Sequence, residues 1–291
     1  MSDKKVMKTM DGNEACATVA YHFTDVAGIY PITPSSPMSE KVDEWSAAGK
    51  KNMFGQPVRL VEMQSEAGAA GALHGVAEAG ALATTFTASQ GLLLMIPNLY
   101  IMAGHRMPAV FHVAARSVAQ HANNIFGDHQ DVMSCRTTGV TMMSTGSVQE
   151  VMDLAAVAHL TTIKTRVPFI HFHDGFRTSH EIQKIEVIDL DKAEKLLDRQ
   201  ALEDYHAIAM NPEHPVMRTT VQGPDVYYQS QEANNGAYDS IPAVVEGYMQ
   251  GINEITGRDY HIFNYYGAED ADRVMVMMGS ACECAREVVD Y

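Results

Sequence analysis

The chain has 291 residues, 46% of them hydrophobic, which is enough for one large folded domain or one and a half ordinary ones. Its 36 acidic residues outnumber its 21 basic residues, and the net charge of −15 argues against nucleic acids and anionic membranes as partners. The sequence has no apolar run long enough to span a membrane, and residues 1–8 are too short and polar for a secretory signal. We therefore expect a cytoplasmic protein.

Up to about residue 172, short apolar runs alternate with amphipathic stretches. The runs predicted as buried strands are 26–30, 58–61, 83–87, 109–113, 140–143 and 169–172. The stretches between them carry apolar residues at helical spacing, as in the predicted helix over 67–79. Short buried strands separated by helices predict an α/β fold, with a mostly parallel sheet and helices on both faces.

The pattern changes in a segment of about 184–240, which we interpret as a connecting arm. Residues 184–190 are predicted as a strand and 190–202 as a charged helix. The part from 206 to 238 is polar and rich in proline, and we expect it to be extended.

The last part of the chain has the pattern of a new unit. After a predicted helix over 242–255, residues 273–278 are predicted as a strand that leads through Gly279-Ser280 into a helix. A strand, a Gly-Ser turn and a starting helix are typical of the opening of an α/β domain. The expected domains are therefore residues 1–258 and an incomplete second one over 259–291.

Tyr30–Pro37 follows a predicted strand and leads into a helix. Open α/β sheets bind ligands at such strand ends, and the start of a helix offers free N–H groups. Prolines on either side of Thr33 would hold its hydroxyl in a stiff loop. A rigid turn whose hydroxyls only cap the helix explains the same residues.

Glu66 lies where the next strand passes into the helix that contains Gly68 and Gly71. The two glycines leave room for a flat ligand or another backbone. A carboxylate in such a crowded place would be partly desolvated and suited to proton transfer. The alternative is an ordinary glutamate in the first turn of a helix, where the dipole favours it.

Arg116 follows the strand over 109–113 and could make a two-pronged contact with a carboxylate or phosphate. An ordinary surface ion pair is the alternative. Ser89-Gln90-Gly91 also lies between a strand and a helix, as a further candidate ligand loop or simply a tight turn.

The sequence gives no metal-binding or nucleotide-binding motif. His171 and His173 could chelate from one face of a strand, but no third ligand follows at a spacing that a metal site requires, so hydrogen-bonding roles are favoured. The four cysteines include no C-x-x-C, so we expect buried or unreactive thiols and no iron–sulfur cluster. Neither a Walker loop nor a G-x-G-x-x-G after the first strand is present.

Taken together, these segments resemble the amino-terminal, pyrimidine-binding domain of the pyruvate:ferredoxin (flavodoxin) oxidoreductases, thiamine diphosphate enzymes of anaerobic metabolism. They stand in the family's order and spacing and cover most of the chain. The matching segments are Asp11-Gly12-Asn13, Tyr30–Pro37, Glu66–Gly71, Ala88–Gly91, Ala114–Ser117, Ile125–His129 with Asp131–Met133, and Asp174–Glu181.

The resemblance implies a fold of the thiamine diphosphate pyrimidine-domain type, followed by the beginning of a transketolase-C-terminal-like domain. It also implies three catalytic roles. Glu66 would bind the cofactor by a hydrogen bond to its aminopyrimidine ring and exchange the proton that sets the ring's tautomer. Thr33 would hydrogen-bond pyruvate, and Arg116 would hold or steer the pyruvate carboxylate.

The implied reaction is oxidative decarboxylation of pyruvate to acetyl-CoA and carbon dioxide, with electrons passing through 4Fe-4S clusters to ferredoxin or flavodoxin. The chain lacks the Gly-Asp-Gly loop of a magnesium and diphosphate site, the cluster cysteines and a coenzyme A domain. We therefore expect it to be part of a larger homodimeric enzyme, inactive alone, with Mg²⁺, clusters and half of the thiamine diphosphate site supplied by the remaining domains. The alternatives are a relative acting on another 2-oxoacid, such as 2-oxoglutarate, and a non-catalytic binding or assembly module.

Overall fold

The computed structural model describes residues 5–291. Its strands are β1 (Met7–Met10), β2 (Val26–Ile29), β3 (Arg59–Glu62), β4 (Ala83–Thr87), β5 (Ala109–Ala115), β6 (Thr141–Thr145), β7 (Phe169–Asp174) and β8 (Gln183–Glu186). Six of them form one all-parallel sheet in the order β3-β2-β4-β5-β7-β6. The first and last strands pair with each other in a small antiparallel sheet.

Helices cover both faces of the six-stranded sheet. The helices of residues 5–291 are α1 (Gly12–His22), α2 (Ser36–Ala47), α3 (Glu66–Glu78), α4 (Ser89–His105), α5 (Gln130–Ser134), α6 (Val148–Thr165), α7 (Leu190–Glu194), α8 (Arg199–Ala207), α9 (Pro224–Glu232), α10 (Asn235–Thr256) and α11 (Ala281–Asp290), of which α9 and α11 bury no residue. Apolar side chains of α1, α2, α6 and α10 form one core cluster, and those of α3 and α4 form another.

Strand β5 contributes side chains to both core clusters. Val110 and Ala114 belong to the cluster of α1 and α6, whereas Phe111, Val113 and Ala115 belong to the cluster of α3 and α4. Successive strand residues point to opposite faces, and a strand buried on both faces therefore reads as a continuous apolar run. The predicted α/β fold, a mostly parallel sheet with helices on both faces, is confirmed.

Within the segment predicted as extended, 206–238, residues 208–223 form no helix and no strand of the sheets, but the prediction was wrong for the rest. Residues 224–232 form helix α9, and the helix predicted to start at 242 starts at Asn235 instead. None of the residues of α9 is buried, so the helix has no apolar stripe that periodicity could reveal. In place of the single charged helix predicted over 190–202, the structure has two short helices, α7 and α8.

The strand predicted over 273–278 was wrong as well, although helix α11 follows the Gly279-Ser280 turn as expected. The apolar side chains of this segment are exposed, with Val276 at 86%. A strand requires backbone hydrogen bonds with a neighbour, and within residues 5–291 no strand pairs with this segment. Among residues 5–291, no helix is both long and apolar enough to cross a membrane.

Candidate active site

All six parallel strands point their carboxyl ends towards one edge of the sheet, and the predicted site residues lie along that edge. Glu66 follows β3, Thr33 follows β2, and Arg116 follows β5. From β2 the chain moves outwards to β3, whereas from β4 it moves the other way to β5. The strand order thus reverses between β2 and β4, and open α/β sheets bind ligands in the crevice at such a point.

Glu66 begins helix α3, and the Ser65 hydroxyl caps this helix by accepting a hydrogen bond from Gly68 N at 3.2 Å. The glutamate is only 6% exposed. Its carboxylate nevertheless makes no hydrogen bond or ion pair with any residue from 5 to 291. Neither oxygen is fully enclosed, so a group from outside can reach the carboxylate.

Gly91, at the start of α4, is packed directly against the Glu66 carboxylate. A Cβ at this position would lie 2.6 Å from Glu66 Oε1 and 2.7 Å from Thr87 Oγ1. Any side chain here would displace the carboxylate, because real Cβ atoms do not approach other heavy atoms so closely. The Ser89-Gln90-Gly91 loop that sequence analysis singled out is therefore one wall around Glu66.

Arg116 is 6% exposed and lies directly beyond the end of β5. Its Nε has no hydrogen-bond partner, and its guanidinium makes no ion pair in the part of the chain that the structure describes. The surface ion pair considered as the alternative role is therefore not found there. Asp131 attracts the guanidinium electrostatically but makes no ion pair with it, and such a buried guanidinium is suited to an anion that enters from outside.

Thr33 lies exposed in the turn between β2 and α2, while the next residue, Pro34, is buried. Asn13 Nδ2 donates a hydrogen bond to Pro34 O at 3.0 Å. Gly175, beyond β7, permits a close approach of this loop, since a Cβ there would lie 2.8 Å from Pro34 Cγ and 2.9 Å from Ala115 O. Two residues distant in sequence, Asn13 and Gly175, thus contact the turn that carries Thr33.

A fully buried aspartate, Asp131, connects two of the loops along this edge. Its Oδ2 accepts hydrogen bonds from Ser89 N at 2.7 Å and Arg116 N at 3.0 Å. Burial raises the pKa of Asp131 to about 6, although the backbone N–H groups that it accepts from oppose the rise. Ser89 has a φ of +50°, an unusual conformation for a residue with a side chain, and Asp131 helps to hold it there.

Sequence analysis gave Asp131 no role at the site, although it lies in one of the matching segments. Its role depends on two backbone N–H groups that are 42 and 15 residues away in the chain. A sequence pattern does not record such contacts. The three predicted residues Thr33, Glu66 and Arg116 share the edge, but the described structure contains no hydrogen bond between any two of them.

Asp174, at the end of β7, joins the same edge to the last segment of the chain. Its Oδ1 lies 2.6 Å from His129 Nε2, and its Oδ2 accepts hydrogen bonds from the backbone N–H and hydroxyl of Ser280. Although burial acts to raise the pKa of Asp174, hydrogen bonds from His129 and Ser280 lower it below its usual value. The hydrogen bond with Asp174 raises the pKa of His129. Asp174 therefore holds the turn before α11 next to the end of β7, along the edge of the candidate site.

The histidines of β5 and β7 lie in the core. His112 Nδ1 is 3.0 Å from His171 Nδ1, and His112 Nε2 is 3.1 Å from His159 Nε2. Burial lowers the pKa of all three, so they stay neutral and can hydrogen-bond one another. The structure thus gives His171 a hydrogen-bonding role, while both ring nitrogens of His173 are buried without a partner.

A comparison with models of protein families covers most of this architecture. A family model described as pyruvate flavodoxin/ferredoxin oxidoreductase, thiamine diphosphate-binding, matches residues 18–250. The chain belongs to this family. The membership predicted from seven segments is confirmed.

Two family relatives are similar over almost the whole chain. The pyruvate-flavodoxin oxidoreductase of Klebsiella pneumoniae is 62% identical over 284 residues, and the pyruvate:ferredoxin oxidoreductase of Moorella thermoacetica is 60% identical over 284 residues. Each alignment covers 98% of this chain and 24% of the relative. The chain therefore spans about a quarter of the length of these relatives.

A solved structure shares the fold at low sequence identity. It is a 2-oxoglutarate:ferredoxin oxidoreductase from Magnetococcus marinus with 2-oxoglutarate, coenzyme A and succinyl-CoA bound. The TM-score is 0.64 at 16% identity, and the match covers 98% of this chain and 51% of that one. At this identity the likeness supports the family's fold and carries no argument about the substrate.

Proposed function

We propose that this chain supplies the pyrimidine-binding part of an enzyme that oxidatively decarboxylates pyruvate to acetyl-CoA and carbon dioxide. The main support is the carboxylate of Glu66 at the switch point of the sheet. It is buried, has no hydrogen-bond or ion-pair partner among residues 5–291, and can be reached by a group from outside. In the same proposal, residues 1–258 are the pyrimidine-binding domain and residues 259–291 begin a second, transketolase-C-terminal-like domain.

The surroundings of Glu66 fit the aminopyrimidine ring of thiamine diphosphate. The carboxylate lacks a partner, and a ring nitrogen with its proton would supply one. Gly91 keeps the space beside the carboxylate free of side chains. Bound thiamine diphosphate would supply the electron sink for decarboxylation. Glu66 would hold and exchange a proton at its carboxylate, and so set the protonation of the ring.

Arg116 and Thr33 are proposed to bind the substrate. The planar guanidinium of Arg116 can donate two parallel hydrogen bonds to a carboxylate, and its burial without an ion pair in residues 5–291 leaves it available for this contact. Thr33 would donate its hydroxyl from a turn that Pro34 and Gly175 hold in place. Together they would orient a small 2-oxoacid before its carboxylate leaves as carbon dioxide.

The proposed reaction requires parts that these 291 residues do not supply. Mg²⁺, the 4Fe-4S clusters, the coenzyme A site and the contact with ferredoxin or flavodoxin are assigned to other parts of a cytoplasmic homodimeric enzyme. The sequence supports this, since it lacks a Gly-Asp-Gly motif and any C-x-x-C. The chain's coverage of only 24% of its relatives is consistent with it.

Pyruvate is preferred over 2-oxoglutarate as the substrate. The relatives that are 62% and 60% identical over nearly the whole chain are named for pyruvate. A larger substrate such as 2-oxoglutarate would also need a second basic group for its second carboxylate. Among the three predicted site residues, the buried Arg116 is the one basic side chain.

Reduction of viologen dye by the complete enzyme tests the proposal. Pyruvate with coenzyme A should support reduction, and 2-oxoglutarate should support it far less efficiently. The isolated chain, folded as judged by circular dichroism, should be inert and free of iron. Stoichiometric iron in the isolated chain, or equal rates with both oxoacids, would contradict it. Failure of the complete enzyme to bind thiamine diphosphate in calorimetry would favour a non-catalytic assembly module.

A further inference from the structure

Two histidines and a glutamate meet at the edge of the sheet opposite Glu66, where helices α3 and α4 end. On α3, His74 Nε2 lies 3.2 Å from Glu78 Oε1, one helical turn further along. His105, the last residue of α4, places its Nδ1 3.1 Å from the same oxygen. One possible ligand atom from each of the three residues lies within 4.8 Å of the other two. The two histidine side chains are 20% and 19% exposed, so an ion in solvent can reach them.

We propose that His74, Glu78 and His105 bind a divalent transition-metal ion of the zinc class. Ligand atoms at about 2.0–2.2 Å from a tetrahedral ion lie roughly 3.3–3.6 Å apart. The two observed separations of 3.2 and 3.1 Å would therefore have to widen only slightly. Two imidazoles and one carboxylate are also a common ligand set for zinc, with a water molecule in the fourth position.

The polar groups behind these ligands are arranged as in a metal site. Glu78 Oε2 accepts a hydrogen bond from Arg218 Nη1, and His105 Nε2 lies 3.3 Å from Thr219 Oγ1. Ligands of protein-bound metals are usually oriented in this way through their other polar atom. Arg218 and Thr219 belong to the arm after α8, so the ion would fasten this arm to α3 and α4.

Electrostatics at this edge also favour a cation. Glu78 and His105 lie in the last turns of α3 and α4, where the aligned peptide dipoles carry partial negative charge. Arg218 offsets part of this negative charge, whereas the net charge of −15 on the chain adds to it. Another group of possible ligands, Cys16, His112 and His171, is fully buried, and its histidines already hydrogen-bond each other.

Cobalt titration of the 291-residue chain tests the site, because tetrahedral Co²⁺ absorbs visible light and reports its ligands. Cys282→Ser and Cys284→Ser are included in every variant, since these two thiols are not buried and could bind the ion. The parent should bind one equivalent of Co²⁺, and Zn²⁺ should displace it. His105→Gln and Glu78→Gln should each weaken binding by at least about tenfold.

His121→Gln is the matched control, since His121 is exposed and lies outside the cluster, and its affinity should equal that of the parent. His74→Gln provides a second test if Glu78→Gln does not fold. Zn²⁺ should also raise the melting temperature of the parent but not that of His105→Gln. Absence of one-equivalent Co²⁺ binding, or equal affinity in the parent and His105→Gln, would show that the cluster is a hydrogen-bonded network only. None of these outcomes depends on the proposed enzymatic activity.

Discussion

Helix α3 has a buried glutamate at each end, and the two differ in what surrounds them. Glu66 and Glu78 are each 6% exposed. Glu78 is held by His74, His105 and Arg218, whereas the carboxylate of Glu66 has no partner among residues 5–291. Burying an unpaired carboxylate is costly, and partners reduce that cost. The difference predicts that Glu78 stabilises this chain, and it supports the proposal that Glu66 binds a group from outside the chain.

The arginines at the two edges of the sheet differ in the same way. Arg218 is ion-paired with Glu78, while Arg116 has an unpartnered Nε and no ion pair within the described chain. Glu66 and Arg116 at the carboxyl edge are thus left without an ion pair among residues 5–291, whereas Glu78 and Arg218 at the opposite edge pair with each other. This contrast predicts different consequences for the same type of substitution at the two edges.

The largest effect is expected from Glu66→Gln in the complete enzyme. The amide fills the same space but cannot exchange the proton, so turnover should fall by about 10²–10⁴-fold while binding of thiamine diphosphate is largely kept. Steady-state kcat and calorimetry measure the two quantities. Glu78→Gln is the matched control on the same helix and should keep its kcat at temperatures where it remains folded. Normal turnover in Glu66→Gln would remove the contrast between the two glutamates.

Arg116→Lys should have the next largest effect. Lysine keeps the charge but loses the planar fork, which costs about 1.5–3 kcal/mol, or roughly ten- to a hundredfold. KM for pyruvate should show the clearer change and kcat a smaller one, with binding of thiamine diphosphate little affected. Arg218→Lys, at the other edge, should leave both constants unchanged. Wild-type kcat/KM in a normally stable Arg116→Lys enzyme would mean that the substrate role is wrongly assigned.

Stability should respond in the opposite order to activity. Glu78→Gln loses charge-assisted hydrogen bonds and should lower the free energy of unfolding by about 1–3 kcal/mol. Glu66→Gln loses a helix-dipole contribution of about 0.3–1 kcal/mol but no longer buries an unpaired charge, so it should be close to neutral. Urea unfolding of the isolated chain measures both variants. Equal destabilisation by the two substitutions would contradict the comparison.

The smallest effect is expected from Asp131→Asn, which removes one acceptor from a group that positions Arg116 and Ser89. Loss of such a bond is worth about 1 kcal/mol, so kcat/KM for pyruvate should fall several-fold, mainly through KM. Asp153→Asn is the matched control. Asp153 is equally buried, and burial likewise raises its pKa to about 6, but its partners are Arg258 and Tyr260, which follow α10, and not the loops of the candidate site. Kinetics altered equally by both substitutions would indicate a general loss of stability.

The sheet could be predicted from the sequence because its strands are buried on both faces. Ala83–Thr87 was predicted with the bounds that the structure has, and 169–172 is extended by two residues. Helix α9 could not be predicted, since it buries no residue and has no apolar stripe. The strand predicted over 273–278 satisfies the apolar pattern but lacks a neighbouring strand within residues 5–291. An apolar run therefore gives a strand only where a neighbouring strand pairs with it, and the exposed residues 273–278 have none among residues 5–291.

At the site, the positions of Thr33, Glu66 and Arg116 could be predicted because each follows a strand. The contacts around them could not, since they depend on how distant segments meet. Gly91 lies 25 residues beyond Glu66 yet fixes the space beside its carboxylate. The partners of Glu78 come from α3, α4 and the arm, so its difference from Glu66 is visible only in the folded chain.

The central claim is that the unpaired carboxylate of Glu66 controls proton exchange on thiamine diphosphate. Exchange of the C2 proton of the cofactor, followed by NMR in the complete enzyme, tests it without the later steps of the reaction. We predict that Glu66→Gln slows this exchange by orders of magnitude while Glu78→Gln leaves it at the wild-type rate. Exchange at the wild-type rate in Glu66→Gln, with the cofactor bound, would contradict the account.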